Sequence, residues 1–183
     1  VICSDKTGTL TQNEMTVRRV WADGETLDVS GSGYVPEGSF SLNGKPVNLA
    51  EHRGMLTALW VAALNNDANL EVSGSSNGKE TYRVVGDPTE GALIVAAEKA
   101  GASANTLNEA YPRLQEVPFD SARKRMVTIH ALEQPRAEDI SPFDEKQPKQ
   151  KGYAITMKGA PDIVLQSCSH YQQMDDIAAP LDE

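Results

Sequence analysis

Cysteine is nearly absent from this chain. Cys3 and Cys168 lie far apart and neither belongs to a C-x-x-C pair, so a disulfide framework and a thiolate zinc site are not expected, and a reducing compartment fits. Histidine is hardly more abundant: His52, His130 and His170 lack metal-ligand spacing and read as ordinary surface or partly buried residues. Basic residues are outnumbered, 17 Lys and Arg against 26 Asp and Glu, which leaves a formal net charge of -9. That balance speaks against a nucleic-acid partner, which needs a basic stripe to displace counterions, and against docking on an anionic membrane. No apolar run reaches the roughly 18 residues of a membrane-spanning helix. Neither a G-x-x-x-x-G-K-[ST] loop nor a kinase-type signature set occurs. An initiator methionine and a signal peptide are also missing, and the opening Val1-Ile2-Cys3 reads as the start of a piece excised from a larger protein.

What is present suits one globular domain with its own core. Residues 1–4 read as the stump of a buried strand that delivers Asp5 at its carboxyl end. Residues 17–21 and 26–29 flank Asp23-Gly24, a hairpin signal because both residues tolerate positive φ, and residues 31–39 form a glycine-rich loop. Residues 48–64 predict a helix with Asn48 as N-cap and Glu51 three positions on. Its Met55, Leu56, Leu59, Trp60, Ala63 and Leu64 recur at helical spacing and should face a core. Residues 71–79 are a polar Ser/Gly stretch expected to be a loop, and residues 82–85 a strand.

Asp87-Pro88-Thr89-Glu90 then opens a strong helix, with Asp87 at N-cap, Pro88 at N1 and Glu90 at N3. Leu93, Ala96, Ala97 and Ala100 share one face, and Gly101 is placed to end it. Residues 114–117 and 125–132 predict strands around Phe119-Asp120-Ser121-Ala122-Arg123-Lys124. Residues 133–151 are a Pro-rich charged connector. A strand at 153–158 and a helix from Pro161 to about residue 168 follow, and the tail shows no clear period. The pattern predicts an α+β fold: an antiparallel β-sheet built from hairpins and longer returns, with helices packed on it.

The segment Asp5-Lys6-Thr7-Gly8-Thr9-Leu10-Thr11 carries the sharpest chemistry. An aspartate at the end of an apolar strand suits nucleophilic attack on phosphorus, giving an acyl phosphate that splits one transfer into two steps. Gly8 lets the backbone turn so that loop amides surround a phosphoryl group. A magnesium ion would be needed to neutralise the converging negative charge. The plainer alternative is that Asp5 merely caps a turn.

This segment resembles the phosphorylation motif of P-type ATPases, members of the haloacid-dehalogenase-like superfamily. Three further segments match that family in the same order: Gly86-Asp87-Pro88-Thr89-Glu90-Gly91-Ala92-Leu93, Phe119-Asp120-Ser121-Ala122-Arg123-Lys124-Arg125-Met126, and Met157-Lys158-Gly159-Ala160-Pro161-Asp162. Related phosphatases carry a second aspartate two residues after the nucleophile. Thr7 stands there, which should leave an aspartyl phosphate longer-lived. Glu14-Met15-Thr16-Val17 and residues 31–38 look most like calcium-type and related pumps of prokaryotes.

The resemblance implies a nucleotide-binding domain over residues 13–170, preceded by the start of a phosphorylation domain at 1–12 and followed by a tail at 171–183. That domain would lack its last strands. ATP and Mg2+ are the implied cofactors, with Asp5 as the phosphorylated residue and Asp5 and Thr7 at the metal. The parent would be an integral membrane cation pump, and this its cytoplasmic part, a monomer apart from its own phosphorylation, actuator and transmembrane domains.

For each implied nucleotide contact a plainer role stays open. Phe119 stacks on adenine or fills the core; Lys124 and Lys158 face polyphosphate or solvent. Glu90 contacts the adenine amino group or completes a capping box with Asp87. Gly159 admits nucleotide to the backbone or makes a turn, and Met126 packs beside adenine or in the core. Arg123 holds either an acidic neighbour or phosphate. A soluble phosphatase or phosphotransferase fragment of the same superfamily is the competing reading, which explains Asp5 but none of the three later segments.

Overall fold

A computed structural model describes residues 14–22, 24–76, 78–132, 142, 152–172 and 178–181. The expected strand at 1–4, Asp5, Thr7 and almost all of the connector at 133–151 lie outside those residues. The chain first builds an antiparallel meander, β1 (Arg19–Ala22), β2 (Glu25–Val29), β3 (Phe40–Leu42) and β4 (Lys45–Pro46), in that spatial order. Leu27 and Val29 point inward while Asp28 stays outside and pairs with Arg19 across the strands at 2.9 Å. The second hairpin turns at Asn43 and Gly44, with φ of 51° and 77°. An Asn-Gly pair favours such a turn, and it was the overlooked signal for β3 and β4. The loop between β2 and β3 is held from both sides, by Arg18 Nη1 on the Gly31 carbonyl at 2.7 Å and Lys99 Nζ on the Ser30 carbonyl at 2.8 Å.

The helix expected from Asn48 is two pieces. Asn48 Oδ1 accepts from the Ala50 amide, but that cap starts a single 3-10 turn, Leu49–Glu51. The chain bends at His52, whose Nδ1 lies 2.9 Å from Glu25 Oε2, and α1 (Arg53–Leu64) begins there. All six residues expected to face the core are buried. The stretch expected as a polar loop is a hairpin, β5 (Asn69–Ser76) and β6 (Lys79–Val85). Its alternation is invisible because most of its side chains are exposed. Cross-strand contacts, Glu71 with Arg83 at 2.7 Å and Ser73 with Thr81 at 3.2 Å, take the place of an apolar face.

Next comes α2 (Pro88–Lys99), started as the sequence indicates. Asp87 Oδ1 accepts from the amides of Thr89 and Glu90 at 2.7 and 3.3 Å, and Gly101 with φ of 84° lies just past its end. Ala92, Ile94, Val95, Ala96 and Ala97 are buried, whereas Leu93 and Ala100 are only half-buried. A short helix that the pattern does not announce, α3 (Ala104–Ala110), buries Ala104 and Leu107. Tyr111 at its end meets Trp60 of α1 edge-to-face, with ring centroids 5.3 Å apart.

The second large sheet is β7 (Arg113–Asp120), β8 (Arg125–Leu132) and β9 (Gly152–Gly159), antiparallel with β8 in the centre. It is followed by α4 (Pro161–Leu165), shorter than expected, and by β10 (His170–Gln172) paired with β11 (Ala178–Pro180) in the tail. The fold class is α+β, with several small antiparallel sheets and helices around one core. Among the described residues no helix is long and apolar enough to cross a membrane.

The inner face of β8 and β9 is partly polar. Met126, Thr128, His130, Ala154 and Thr156 are buried there, while Tyr153 and Ile155 stand exposed on the other face. Asn65 Nδ2 at the end of α1 donates to the Thr156 and Met126 carbonyls at 2.8 and 3.3 Å, fastening helix to sheet. His130 is fully buried, contrary to its expected surface or partly buried place. Its Nδ1 lies 2.8 Å from the Tyr111 carbonyl, which can only accept, so Nδ1 carries the proton. Nε2 therefore accepts from Thr128 Oγ1 at 2.9 Å, and Thr128 in turn accepts from Thr156 at 2.6 Å.

Burial lowers the His130 pKa from its ordinary value, and the Arg113 charge adds to that shift. The unfolded chain, titrating near 6.5, thus takes the proton first, and the stability from neutral His130 is complete above about pH 6.5 and falls as pH drops towards the folded value. Urea unfolding should show the chain less stable at about pH 5.5 than at 7.5, with a smaller difference in His130→Gln.

Candidate functional site

Two elements converge on one cleft. The first turns of α2 supply Asp87, Thr89, Glu90 and Leu93, and the sheet supplies Phe119 from the end of β7 and Lys158 and Gly159 from the end of β9. Together these line a cavity of about 550 Å³. Close approach between the elements depends on missing side chains. A Cβ on Gly91 would run into Val84 of β6, and one on Gly86, whose φ is 127°, would come within 2.8 Å of Ala68 Cα. The glycines flanking Asp87-Pro88-Thr89-Glu90 thus let α2 start hard against its neighbours.

Glu90 does not complete a capping box. Its carboxylate leaves the helix end and meets Lys158, Nζ to Oε1 at 2.5 Å, while the Asp67 amide donates to Oε2 at 3.2 Å. The Glu90 and Lys158 side chains are 17% and 22% exposed, so the pair is shielded but still wetted at the cleft. Asp87 alone performs the capping. The Thr89 hydroxyl and amide beside it lower its pKa, as do the Glu90 amide and the charge of Lys158.

Phe119 is 60% exposed, an unusual place for a phenylalanine in a strand. The register of β7 with β8 shifts between Val117 and Asp120, and Pro118 and Phe119 fall in that irregularity. A bulge re-aims side chains, and proline tolerates it because it has no amide hydrogen to pair. The ring therefore belongs to the cleft wall and not to the core.

The turn after Phe119 is knitted locally. Asp120 Oδ1 accepts from the Ala122 and Arg123 amides at 3.0 and 2.9 Å, which lowers its pKa. Arg123 Nη2 donates to the Pro118 carbonyl at 2.9 Å, so its contacts are within the turn. Lys124 adopts φ of 53°, in the left-handed region that favours glycine, and it is not among the cleft-lining residues. Met126 is buried at 1% exposure, on β8 opposite Lys158, and takes a core position.

Gly159 pairs with Arg125, and a Cβ there would collide with the Lys124 carbonyl and lie 2.8 Å from Arg125 Cα. Its first duty is to let β8 and β9 close at their ends. Asp5 and Thr7 lie outside the described residues, and among those described no group of three or more His, Cys, Asp or Glu could hold a metal ion. Asp87, Thr89 and Leu93 were overlooked as lining residues. For Leu93 a signal was available, since it lies three residues from Glu90 and so on the same face of the helix.

The fold is α+β, with a cleft between the start of α2 and the ends of β7 and β9. The family model for the P-type ATPase cytoplasmic domain N matches residues 55–183. Among relatives, a calcium-transporting ATPase of Bacillus subtilis is 45% identical over 92% of this chain and 17% of its own length. The cation-transporting ATPase pma1 of Synechocystis is 38% identical over 92% and 17%. The sodium/potassium-transporting ATPase subunit alpha-1 of Oreochromis mossambicus is 32% identical over 92% and 14%. The chain belongs to the P-type cation-transporting ATPases and carries their domain N. It spans about a sixth of the length of these relatives, whose names cover more than one cation.

Replacing Gly159 by alanine should destabilise the chain by about 1–3 kcal/mol, because backbone and not a flexible side chain blocks the methyl. Chemical denaturation at neutral pH reads this directly.

Proposed function

We propose that the cleft binds the adenine end of ATP for a cation-transporting parent enzyme. The observation that carries this reading is the exposed Phe119 ring on the wall of a cavity of about 550 Å³, within the size range of small-molecule sites. An aromatic face bared to solvent beside a cleft suits stacking of a planar base.

The electrostatics decide which part of the nucleotide goes inside. The lining carries two carboxylates, Asp87 and Glu90, against one ammonium, Lys158. Such a wall repels a triphosphate but accepts hydrogen bonds from a neutral base with an exocyclic amine. The phosphates would then point out of the cleft, with Lys158 of its lining and Lys124 of the turn after Phe119 as the positive charges available to them. Glu90 holds the Lys158 ammonium in a fixed direction, so that charge is preorganised before ligand arrives. Gly159 lets ligand approach the end of β9, and Met126, buried on β8, is the register partner of Lys158.

In the parent, Asp5 would take the γ-phosphate of ATP as an acyl phosphate, and that energised state would drive a cation across the membrane. Mg2+ is the expected counter-charge, at Asp5 and Thr7. Residues 13–170 would be the nucleotide-binding domain on the cytoplasmic side, working against the parent's own phosphorylation, actuator and transmembrane domains. By itself the piece would bind nucleotide as a monomer, without turnover.

Titration of the isotope-labelled chain with ATP should shift the resonances around Phe119 and Lys158, with a Kd in the high-micromolar to millimolar range, about -4 to -6 kcal/mol. Phe119→Ala should weaken binding by about 1–3 kcal/mol, roughly 5- to 150-fold. An ATP titration that leaves both regions unmoved refutes the reading.

A further inference from the structure

The turn that follows α1 makes unusually many contacts for a connector, and they end on a residue of the cleft. Asn66 is 5% exposed and its side chain is fully engaged. Nδ2 donates to the Ala62 carbonyl at 3.1 Å and to the Glu90 carbonyl at 2.9 Å, while Oδ1 accepts from the Ala68 amide at 2.9 Å. One amide thus joins the end of α1, the first turn of α2 and the start of β5. The next residue, Asp67, aims its backbone N–H at Glu90 Oε2.

Arg113 of β7 locks the same turn from the outside. Its Nη2 donates to the carbonyls of Leu64 and Asn66, and its Nη1 meets Asp67 Oδ1 at 2.6 Å and Glu116 Oε2 at 2.8 Å. A guanidinium fork is suited to holding two carbonyls and a carboxylate at fixed angles, which a lysine cannot do. Residues 64–68 are therefore a bracket whose inner face presents one donor, the Asp67 amide, to the Glu90 carboxylate.

The consequence reaches the cleft through Glu90. A glutamate has three rotatable side-chain bonds and, with Lys158 alone as partner, would share that ammonium's freedom. The Asp67 amide on Oε2 leaves Oε1 for Lys158, which fixes both groups. We propose that Asn66 is a positioning residue of the nucleotide site: it touches no ligand, and it sets the direction of the Glu90 carboxylate, hence of the Lys158 ammonium, through the Glu90 carbonyl and the Asp67 amide. This role rests on the nucleotide reading given above. Asn66 does not line the cavity, so any effect it has on affinity passes through Glu90.

A double-mutant cycle separates this role from general support of the fold. Dissociation constants for ATP would be measured by titration of the chain and of Asn66→Ala, Glu90→Ala and the double variant, with urea unfolding of each. Asn66→Ala should weaken binding about five- to tenfold in the wild-type background and less than about twofold in the Glu90→Ala background, while its stability loss persists in both. Equal weakening in the two backgrounds, or none in the first, overturns the role. Should Asn66→Ala not fold, Arg113→Lys carries the same cycle, because it keeps the charge near Asp67 and loses the fork on the two carbonyls. A wild-type chain that does not bind ATP sinks the nucleotide reading and this role with it, whereas binding indifferent to Asn66 sinks this role alone.

Discussion

The contact between Glu90 and Lys158 joins the first turn of α2 to the end of β9, two elements 68 residues apart in the chain. Everything around the cleft is arranged to permit it. Asp87 takes over the capping of α2, which releases the Glu90 side chain from the helix end. Gly91 lets the helix press against Val84, and Gly159 lets β9 close on β8 beyond Lys158. A shielded pair of this kind adds little net stability, because desolvation offsets the attraction. What it contributes is direction: a cation and a carboxylate held where they meet a cleft.

The sheet beneath that contact is held by polar groups as much as by apolar ones. Asn65 fastens α1 to the carbonyls of Met126 and Thr156, and the chain from Thr156 through Thr128 and His130 to Tyr111 runs through the buried face of β8 and β9. Hydrogen bonds in such a network have directions, so the network specifies a register where apolar contacts alone would tolerate sliding. Lys158 lies two residues from Thr156 on the same face of β9, and the register of β9 fixes where its ammonium emerges. The polar core and the cleft are thus coupled through strand geometry.

Phe119 illustrates the opposite device, a side chain placed by a local irregularity. β7 shifts register twice, between Arg113 and Gln115 and between Val117 and Asp120; its residues 114–119 are all exposed, and Pro118 and Phe119 fall within the second shift. The turn that follows is closed by Asp120 and by the left-handed Lys124, so the ring stands on a short, well-braced arm. At 60% exposure the ring forgoes part of the about 1.5–3 kcal/mol that full burial of such a side chain contributes. That cost is consistent with a site whose ligand covers the ring.

Much of this was legible in the sequence. Capping and periodicity, which act within one turn of chain, announced α2 through Asp87-Pro88 and the inward face of α1 through Met55 to Leu64. The ordered motifs announced the family. Local signals failed wherever a partner supplied the missing half: β5 pairs with β6 through exposed polar residues, α3 has no strong cap, and the Asn48 box opens a 3-10 turn because His52 meets Glu25. The individual roles of the motif residues were likewise undecided. Chain neighbours determine whether Glu90 can cap, yet only the arrival of Lys158 and the Asp67 amide draws its carboxylate away. Sequence by itself determined which residue types are available and where helices begin, because those preferences are set by short-range sterics and hydrogen bonding. The tertiary structure alone decided which of them share a cleft, which retreat to the core as Met126 does, and that Asn66 and Arg113 stand behind Glu90. Those outcomes depend on contacts between residues far apart in the chain.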